Sequence, residues 1–140
     1  MNTLIPYLIL PTQCEEALYF YRSCFGGQIT FLQTYAQTDY QVSDAYQHKV
    51  AHAEFKANGI HFYASDGFEN DDIVTGNNVA LTINFTQQVA QKNVFDRLQA
   101  DGRVTMPLSQ TSINTTLASV IDRYGIHWYL NLVRADAAPA

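Results

Sequence analysis

His52 and Glu54 are a pair of side chains whose types and spacing could support acid–base chemistry. They stand two residues apart in residues 50–56, which we expect to form a strand, and alternate residues of a strand share a face. Because an imidazole exchanges protons near neutral pH, a histidine beside a carboxylate could act as a general base. The alternative is a structural histidine bound to the backbone or an interface, since no nucleophile stands beside the pair.

Polar side chains alternate with apolar ones along several predicted strands, most clearly after the Asn58-Gly59 and Tyr124-Gly125 turns. One face of each strand would cover a core, and the other would present hydrogen-bonding groups, as in small-molecule pockets. A sheet that simply faces water would show the same alternation. The candidates for ligand binding are Tyr7, His61, Tyr63, Thr82, Asn84, His127, Tyr129 and Asn131.

The cysteines and the acidic run do not have the spacing of a metal or redox site. Cys14 and Cys24 are ten residues apart in one predicted helix, about 15 Å along its axis, which is too far for a disulfide. We therefore expect two buried thiols, neither zinc ligands nor a redox pair. The acidic loop 66–78 lacks the alternating oxygen ligands and central glycine of a calcium loop, which indicates a solvated connector.

Composition narrows the classes of partner. The chain has 140 residues, 47% of them hydrophobic, which suffices for one well-packed domain. A net charge of −5 without a basic cluster argues against nucleic acid and anionic membrane surfaces. The N-terminus lacks the features of a signal peptide, and no apolar run approaches the roughly 20 residues of a membrane span. We expect a cytoplasmic protein with a small-molecule ligand.

The predicted elements occur twice in the same order. A helix with a Thr12–Glu15 capping box follows the first strand and ends at Gly26-Gly27, and Thr86 could cap a second helix ending at Gly102. The predicted strands are 3–10, 28–35, 50–56 and 60–65 in the first half, and 79–85, 103–108, 115–121 and 126–133 in the second.

Phe20 and Gly27 match Phe95 and Gly102 at a common offset of 75 residues (95 − 20 and 102 − 27), which indicates an internal duplication. We therefore predict an α+β fold of two consecutive βαβββ units that form curved mixed sheets around a cavity, with the helices outside. The expected boundaries are a single domain over 1–133, with units 1–66 and 77–133, and a flexible tail at 134–140. The polar loop 37–47 could close over a cavity or be disordered.

Several segments together resemble one family. The chain is similar to the PhnB-like branch of the vicinal oxygen chelate superfamily, which includes glyoxalase I, bleomycin-resistance proteins and extradiol dioxygenases. The resemblance spans nearly the whole chain, and it implies the fold above and a homodimer. The segments that carry it are Pro6-Tyr7-Leu8, Glu15-Glu16-Ala17-Leu18, Phe20-Tyr21, Phe25-Gly26-Gly27, Val50-Ala51-His52-Ala53-Glu54-Phe55, Ser65-Asp66-Gly67 and Asp122-Arg123-Tyr124-Gly125-Ile126.

The resemblance also implies where a metal ion would bind. Metalloenzymes of the superfamily take His or Gln from the first strand and Glu from the last strand of each unit. The matching positions here are Pro6, a residue near Asn78, Tyr63 and Tyr129. Because proline has no donor side chain and neither tyrosine is a carboxylate, we expect no metal ion and no other cofactor.

Three functions fit these residues. The first is a PhnB-like protein that binds or sequesters a small molecule in a metal-free pocket. The second is a metal-dependent lyase, isomerase or dioxygenase that recruits His52, Glu54 or His61 in place of the missing ligands. The third is a structural or interaction module without a ligand. Methyltransferase activity, a label of some relatives, finds no support, because no glycine-rich nucleotide loop follows a predicted strand.

Overall fold

The computed structural model describes residues 1–110 and 115–133. The chain forms two compact units, called unit one (Met1–Val74) and unit two (from Thr75 onward). The division falls inside the predicted connector 66–78, and the assignment of both units to a single domain stays a prediction. The expected tail 134–140 and most of the expected loop 109–114 lie outside the described residues. No helix in the described part of the chain is long and apolar enough to cross a membrane.

Unit one is a four-stranded mixed sheet with one helix. Strands β1 and β4 pair in parallel, whereas β4 with β3 and β3 with β2 pair antiparallel, in the order β1-β4-β3-β2. The predicted hairpin across Asn58-Gly59 is confirmed, and the first strand is shorter than expected. The elements are β1 (Tyr7–Ile9), α1 (Cys14–Phe25), β2 (Gln28–Thr34), β3 (Val50–Ala57) and β4 (Ile60–Ser65), with 3₁₀ turns at Tyr35–Gln37 and Asp44–Tyr46.

Helix α1 covers one face of this sheet with an aromatic core. The Phe55 and Phe62 rings stack at a centroid distance of 5.0 Å, and Tyr21 of α1 meets Phe62 edge-on at 5.5 Å. All three side chains are fully buried. Cys14 and Cys24 are free and buried, as predicted, and burial raises the pKa of the Cys14 thiol. The prediction of a helix here from the helical spacing of apolar residues is therefore confirmed.

The predicted capping box at the start of α1 is wrong. Thr12 has a φ of 63°, and the N-cap residue is Gln13, whose side chain makes no capping bond. Instead, the buried Asp66 carboxylate accepts the Cys14 N–H at 3.0 Å and the Val50 N–H at 2.7 Å. A carboxylate suits this place because the first N–H groups of a helix lack partners within the helix.

Unit two repeats this topology. Its sheet has the order β5-β8-β7-β6, with β5 parallel to β8 and the other pairs antiparallel. The fold prediction of two βαβββ units with mixed sheets is thereby confirmed. Thr86 does not cap the helix, since the N-cap residue is Gln87. The elements are β5 (Leu81–Phe85), α2 (Gln88–Leu98), β6 (Arg103–Gln110), β7 (Thr115–Ile121) and β8 (His127–Val133).

Two buried polar side chains organise unit two. Gln91 of α2 is 1% exposed and donates hydrogen bonds to the carbonyls of Thr116 on β7 and Leu130 on β8, at 2.9 and 3.1 Å. The Trp128 indole N–H donates to Asp122 at 2.8 Å. These bonds satisfy polar groups that would otherwise be costly to bury. The Gln91 bonds connect α2 to the sheet, and the Asp122 bond connects the turn between β7 and β8 to β8.

Candidate functional site

The face of the unit-one sheet opposite α1 carries the candidate site. Along β3 the side chains of Ala53 and Phe55 are fully buried beneath the helix, whereas His52 and Glu54 are half-buried on the other face. This alternation follows from the two-residue period of a strand. The sequence prediction that His52 and Glu54 share a face is confirmed by the register.

His52 lies in a cluster of aromatic side chains. The parallel pairing of β1 with β4 sets Tyr7 opposite Tyr63, and the Tyr7 hydroxyl hydrogen-bonds to His52 Nδ1 at 3.1 Å. The imidazole also lies 5.0 Å from the Tyr63 ring and 5.9 Å from the Phe31 ring, between centroids. Three of the predicted candidates, Tyr7, His52 and Tyr63, are thus brought together.

Glu54 has partners other than His52. Its carboxylate accepts a hydrogen bond from His61 Nε2 at 2.8 Å and another from the Thr30 hydroxyl at 2.9 Å. These two bonds, the one from His61 foremost, lower the pKa of Glu54 below its ordinary value. The structure thus brings Glu54 together with His61 and brings His52 together with Tyr7. Catalytic roles for His52 and Glu54 stay predictions.

A cavity of about 500 Å³ opens beside the Tyr7–His52 pair. Strand β1, the start of β3, the 37–47 loop and the segment after β4 all contribute to its wall. The lining combines aromatic rings with hydroxyl, amide, imidazole and carboxylate groups, so it can make both ring contacts and hydrogen bonds with a small molecule. The described lining residues are Tyr7, Ile9, Phe31, Gln33, Tyr35, Thr38, Tyr40, Ala51, His52, Ser65, Gly67, Phe68 and Asp71.

The Gly67 carbonyl holds the two loops of this cavity together. It accepts hydrogen bonds from the Tyr35 hydroxyl at 2.6 Å and from the Tyr46 hydroxyl at 2.8 Å. Ser43 binds the Glu69 carboxylate through both its N–H and its hydroxyl. Burial raises the pKa of Tyr35 to about 12, so its hydroxyl keeps its proton, and remains a donor, further into the alkaline range than an exposed tyrosine does.

The remaining candidates lie in unit two. His127 and Tyr129 of β8 line a smaller cavity of about 290 Å³, together with Asn78. Asn131 donates a hydrogen bond to Asn84 Oδ1 at 3.1 Å across the β5–β8 pair. The two amides therefore satisfy each other in part. Ligand binding by these residues stays a prediction.

Two of the positions at which the resemblance implies metal ligands, Pro6 and Tyr63, offer neither a carboxylate nor an imidazole. Pro6 offers no donor side chain, and its carbonyl accepts the Tyr63 N–H at 2.9 Å. The Tyr63 ring packs against Tyr7, His52 and His61. Within residues 1–110 and 115–133, no three His, Cys, Asp or Glu side chains are grouped to hold a metal ion.

Sequence reasoning missed most of the cavity wall. Phe31, Tyr35, Phe68 and Asp71 were not candidates. Tyr40 lies in the 37–47 loop, for which closure over a cavity was one of two expectations. Strict alternation along β2 would place Phe31 on the same face as Ile29, which pairs with the buried Phe55. A register shift between the two residues sets Phe31 opposite Glu54 instead, so the strand pattern could not have found its place. Loop side chains such as Phe68 give no local signal either, because their positions depend on contacts with distant residues.

The fold defines the class of protein. A glyoxylase/bleomycin resistance protein/dioxygenase domain from Frankia sp. EAN1pec is similar with a TM-score of 0.66 at 13% identity, over 96% of this chain and 98% of that chain. Protein PA1353 from Pseudomonas aeruginosa has a TM-score of 0.86 at 23% identity, over 96% and 99% of the two chains. The chain therefore has the glyoxalase/bleomycin-resistance fold.

The family follows from the sequence. The model of the family described as 3-demethylubiquinone-9 3-methyltransferase matches residues 2–131, and the chain belongs to this family. A PhnB protein from Bacillus cereus is 25% identical, with a TM-score of 0.78, over 94% of this chain and all of that one. Protein YjdN of Escherichia coli (strain K12) is 22% identical over 141 residues, or 94% of this chain and 95% of that protein. The PhnB-like resemblance is confirmed.

Proposed function

We propose that the chain binds a small planar molecule, bearing a hydroxyl or carbonyl group, in the unit-one cavity and without a metal ion. The observation that carries this proposal is the hydrogen bond between Tyr7 and His52 on the wall of an aromatic cavity of about 500 Å³. That volume lies within the roughly 300–1,000 Å³ of ordinary ligand pockets. We also propose that the protein is a cytoplasmic homodimer.

The lining supplies two kinds of contact. The rings of Tyr7, Phe31, Tyr40 and Phe68 are each roughly half exposed, so they can stack on or meet the edge of a planar ligand. The Tyr7 hydroxyl and the His52 imidazole can each donate or accept a hydrogen bond. A ligand hydroxyl or carbonyl placed beside this pair would therefore be oriented by it.

The donor residues support binding without a metal ion. His52 Nδ1 is bonded to Tyr7, and the Glu54 carboxylate is bonded to His61 and Thr30. A divalent ion needs several oxygen or imidazole donors that converge on one point. The side chains named here are instead hydrogen-bonded to neighbouring side chains.

The family's description names a methyl transfer, which needs a bound methyl donor. Among the described residues, no strand is followed by a glycine-rich loop of the kind that cradles a nucleotide-like donor. The aromatic cavity, in contrast, already has the size and the polar groups for a small ligand. Binding is therefore the function that this geometry supports best.

The proposal is tested by an NMR titration of the amide spectrum with para-ethylphenol, a small planar phenol. We expect shifts concentrated on the residues that line the unit-one cavity. His52→Ala should weaken binding by about tenfold, the loss of one good hydrogen bond and a ring contact. His48→Ala is the matched control, because His48 is exposed and lies outside the lining.

Shifts scattered over both units, or equal affinities for His52→Ala and the unmutated protein, would contradict binding in this cavity. Equal thermal stability of the two histidine variants would show that any loss of affinity is local.

A further inference from the structure

The unit-one cavity has an uneven distribution of charge. Among the described residues that line it, Asp71 is acidic and none is Lys or Arg. A neighbouring cavity is lined by Asp39 together with Gln33 and Tyr40. Lys56 lies on the same face of β3 as His52 but four residues away, about 13 Å along the strand, and does not line the cavity. The site therefore offers a carboxylate and no fixed positive charge.

Asp71 is held beside the aromatic rings. Its Oδ2 accepts the Phe68 N–H at 3.1 Å, which fixes the carboxylate in the turn that carries the Phe68 ring. The Phe68 and Tyr40 rings meet edge-on at 5.1 Å, and Tyr40 and Phe68 each lie 6.1 Å from the Tyr35 ring. The bond from the Phe68 N–H involves only Oδ2, one of the two oxygens of the Asp71 carboxylate.

Carboxylates and aromatic faces both attract cations. A ring face is the negative side of its quadrupole and is attractive to an ammonium group within about 6 Å of its centroid. An anionic ligand would meet the same rings and the Asp71 carboxylate without any Lys or Arg partner in the described lining. Desolvating an anion in such a place is unfavourable.

We infer that the cavity selects an aromatic amine in its protonated form over neutral and anionic molecules of similar shape, with Asp71 as the counter-ion. The inference rests on the proposed function and adds the charge class of the ligand. In this arrangement the ring of the amine lies near Tyr7 and His52, and its ammonium group lies between Asp71 and the rings of Tyr40 and Phe68.

Three probes that share a phenol ring test the inference: tyramine, a cation; para-ethylphenol, which is neutral; and para-hydroxyphenylpropionate, an anion. Affinities are measured by calorimetry at low ionic strength and about pH 8, where a free imidazole is neutral. We expect tyramine to bind about five- to tenfold more tightly than para-ethylphenol, because the carboxylate is solvent-exposed, and the anion to bind most weakly.

Asp71→Asn should remove most of the preference for tyramine over para-ethylphenol, because only the ring faces then attract the ammonium group. It should leave the affinity for the neutral probe unchanged. The asparagine side-chain oxygen can still accept the Phe68 N–H, so the turn is preserved. Asp72→Asn is the matched control, because Asp72 is exposed in the same loop and does not line the cavity. It should leave all three affinities unchanged.

The outcomes separate the two proposals. If none of the three probes binds, the proposed function fails and this inference fails with it. If the three bind equally, small-molecule binding stands and the charge selection is wrong. A preference for tyramine that Asp71→Asn leaves undiminished would overturn the assignment of Asp71 as counter-ion.

Discussion

Tyr35 lies directly after β2, is 2% exposed, and donates its hydroxyl hydrogen to the Gly67 carbonyl. Burial, with a smaller contribution from the neighbouring Tyr46, raises its pKa to about 12. An unfolded tyrosine titrates near pH 10. The folded state therefore holds the Tyr35 proton more tightly than the unfolded state does. The stability that this proton contributes is complete below about pH 10 and is lost as pH rises toward 12.

Tyr35→Phe should lower the free energy of unfolding by about 1 kcal/mol at neutral pH, the value of one hydrogen bond. The difference from the unmutated protein should shrink as pH rises from about 10 to 12, because phenylalanine does not titrate. Urea unfolding at several pH values measures this. Tyr46, whose pKa is also raised by burial, keeps some alkaline sensitivity in the variant.

Tyr19→Phe is the control, since Tyr19 is exposed on α1 and 49% accessible. A Tyr35→Phe difference that stays constant up to pH 12 would show that the Tyr35 proton is not bound more tightly in the fold.

At the scale of elements, two matched glycines mark the duplication. Gly27 precedes β2 and Gly102 precedes β6, and a Cβ at either would collide with backbone of the neighbouring strand, at the Lys56 carbonyl or the Ile121 carbonyl. The 75-residue offset therefore relates positions with the same packing role. In each unit the glycine lets the chain pass close to the partner strand as the helix ends.

Gly27→Ala and Gly102→Ala should each lower the free energy of unfolding by about 1–3 kcal/mol, the usual cost of forcing extra atoms into packed backbone. Gly27→Ala should cost more, because Gly27 also has a φ of 80°. Chemical denaturation measures both. Gly76→Ala is the control, since its Cβ would meet Asn78 at 3.8 Å. Full stability in both variants would refute the shared role.

The sequence predicted elements well where the pattern was local. Alternation located β3, β4 and β8, and helical spacing located α1. The helix starts could not be found in this way, because α1 is capped by Asp66, which is 52 residues from Cys14. Short-range motifs such as Thr12–Glu15 carry no information about a tertiary cap.

The candidate site also has one part that could be predicted from the sequence and another part that could not. Tyr7, His52 and Tyr63 lie on predicted strands and were named as candidates from the sequence, and the strand pairing brings them together. Phe68 and Asp71 lie in a loop whose position depends on bonds from Tyr35 and Tyr46 to Gly67 and from Ser43 to Glu69. Such contacts join residues far apart in the sequence, so no local pattern could have predicted that wall of the cavity.

For the whole molecule we propose a homodimer, as the family resemblance implies. A second copy could cover some of the large apolar side chains that are exposed in both units. Light scattering coupled to gel filtration should give about twice the chain mass of 15.8 kDa. A mass of one chain at every concentration would contradict the dimer. Outside the unit-one cavity, the exposed side chains include Leu4, Val74, Val79, Val89 and Val104.

The central claim is that the unit-one cavity binds its ligand without a metal ion. The most direct test is calorimetric titration with para-ethylphenol on protein treated with chelator. The titration is repeated after incubation with nickel, zinc, manganese or iron(II) and gel filtration, with elemental analysis of each sample. We predict the same affinity in every sample and well below one metal ion per chain. The claim would be contradicted if binding required about one metal ion per chain, and if His52→Ala or His61→Ala abolished both the binding and the metal content. That result would favour a metal-dependent lyase, isomerase or dioxygenase.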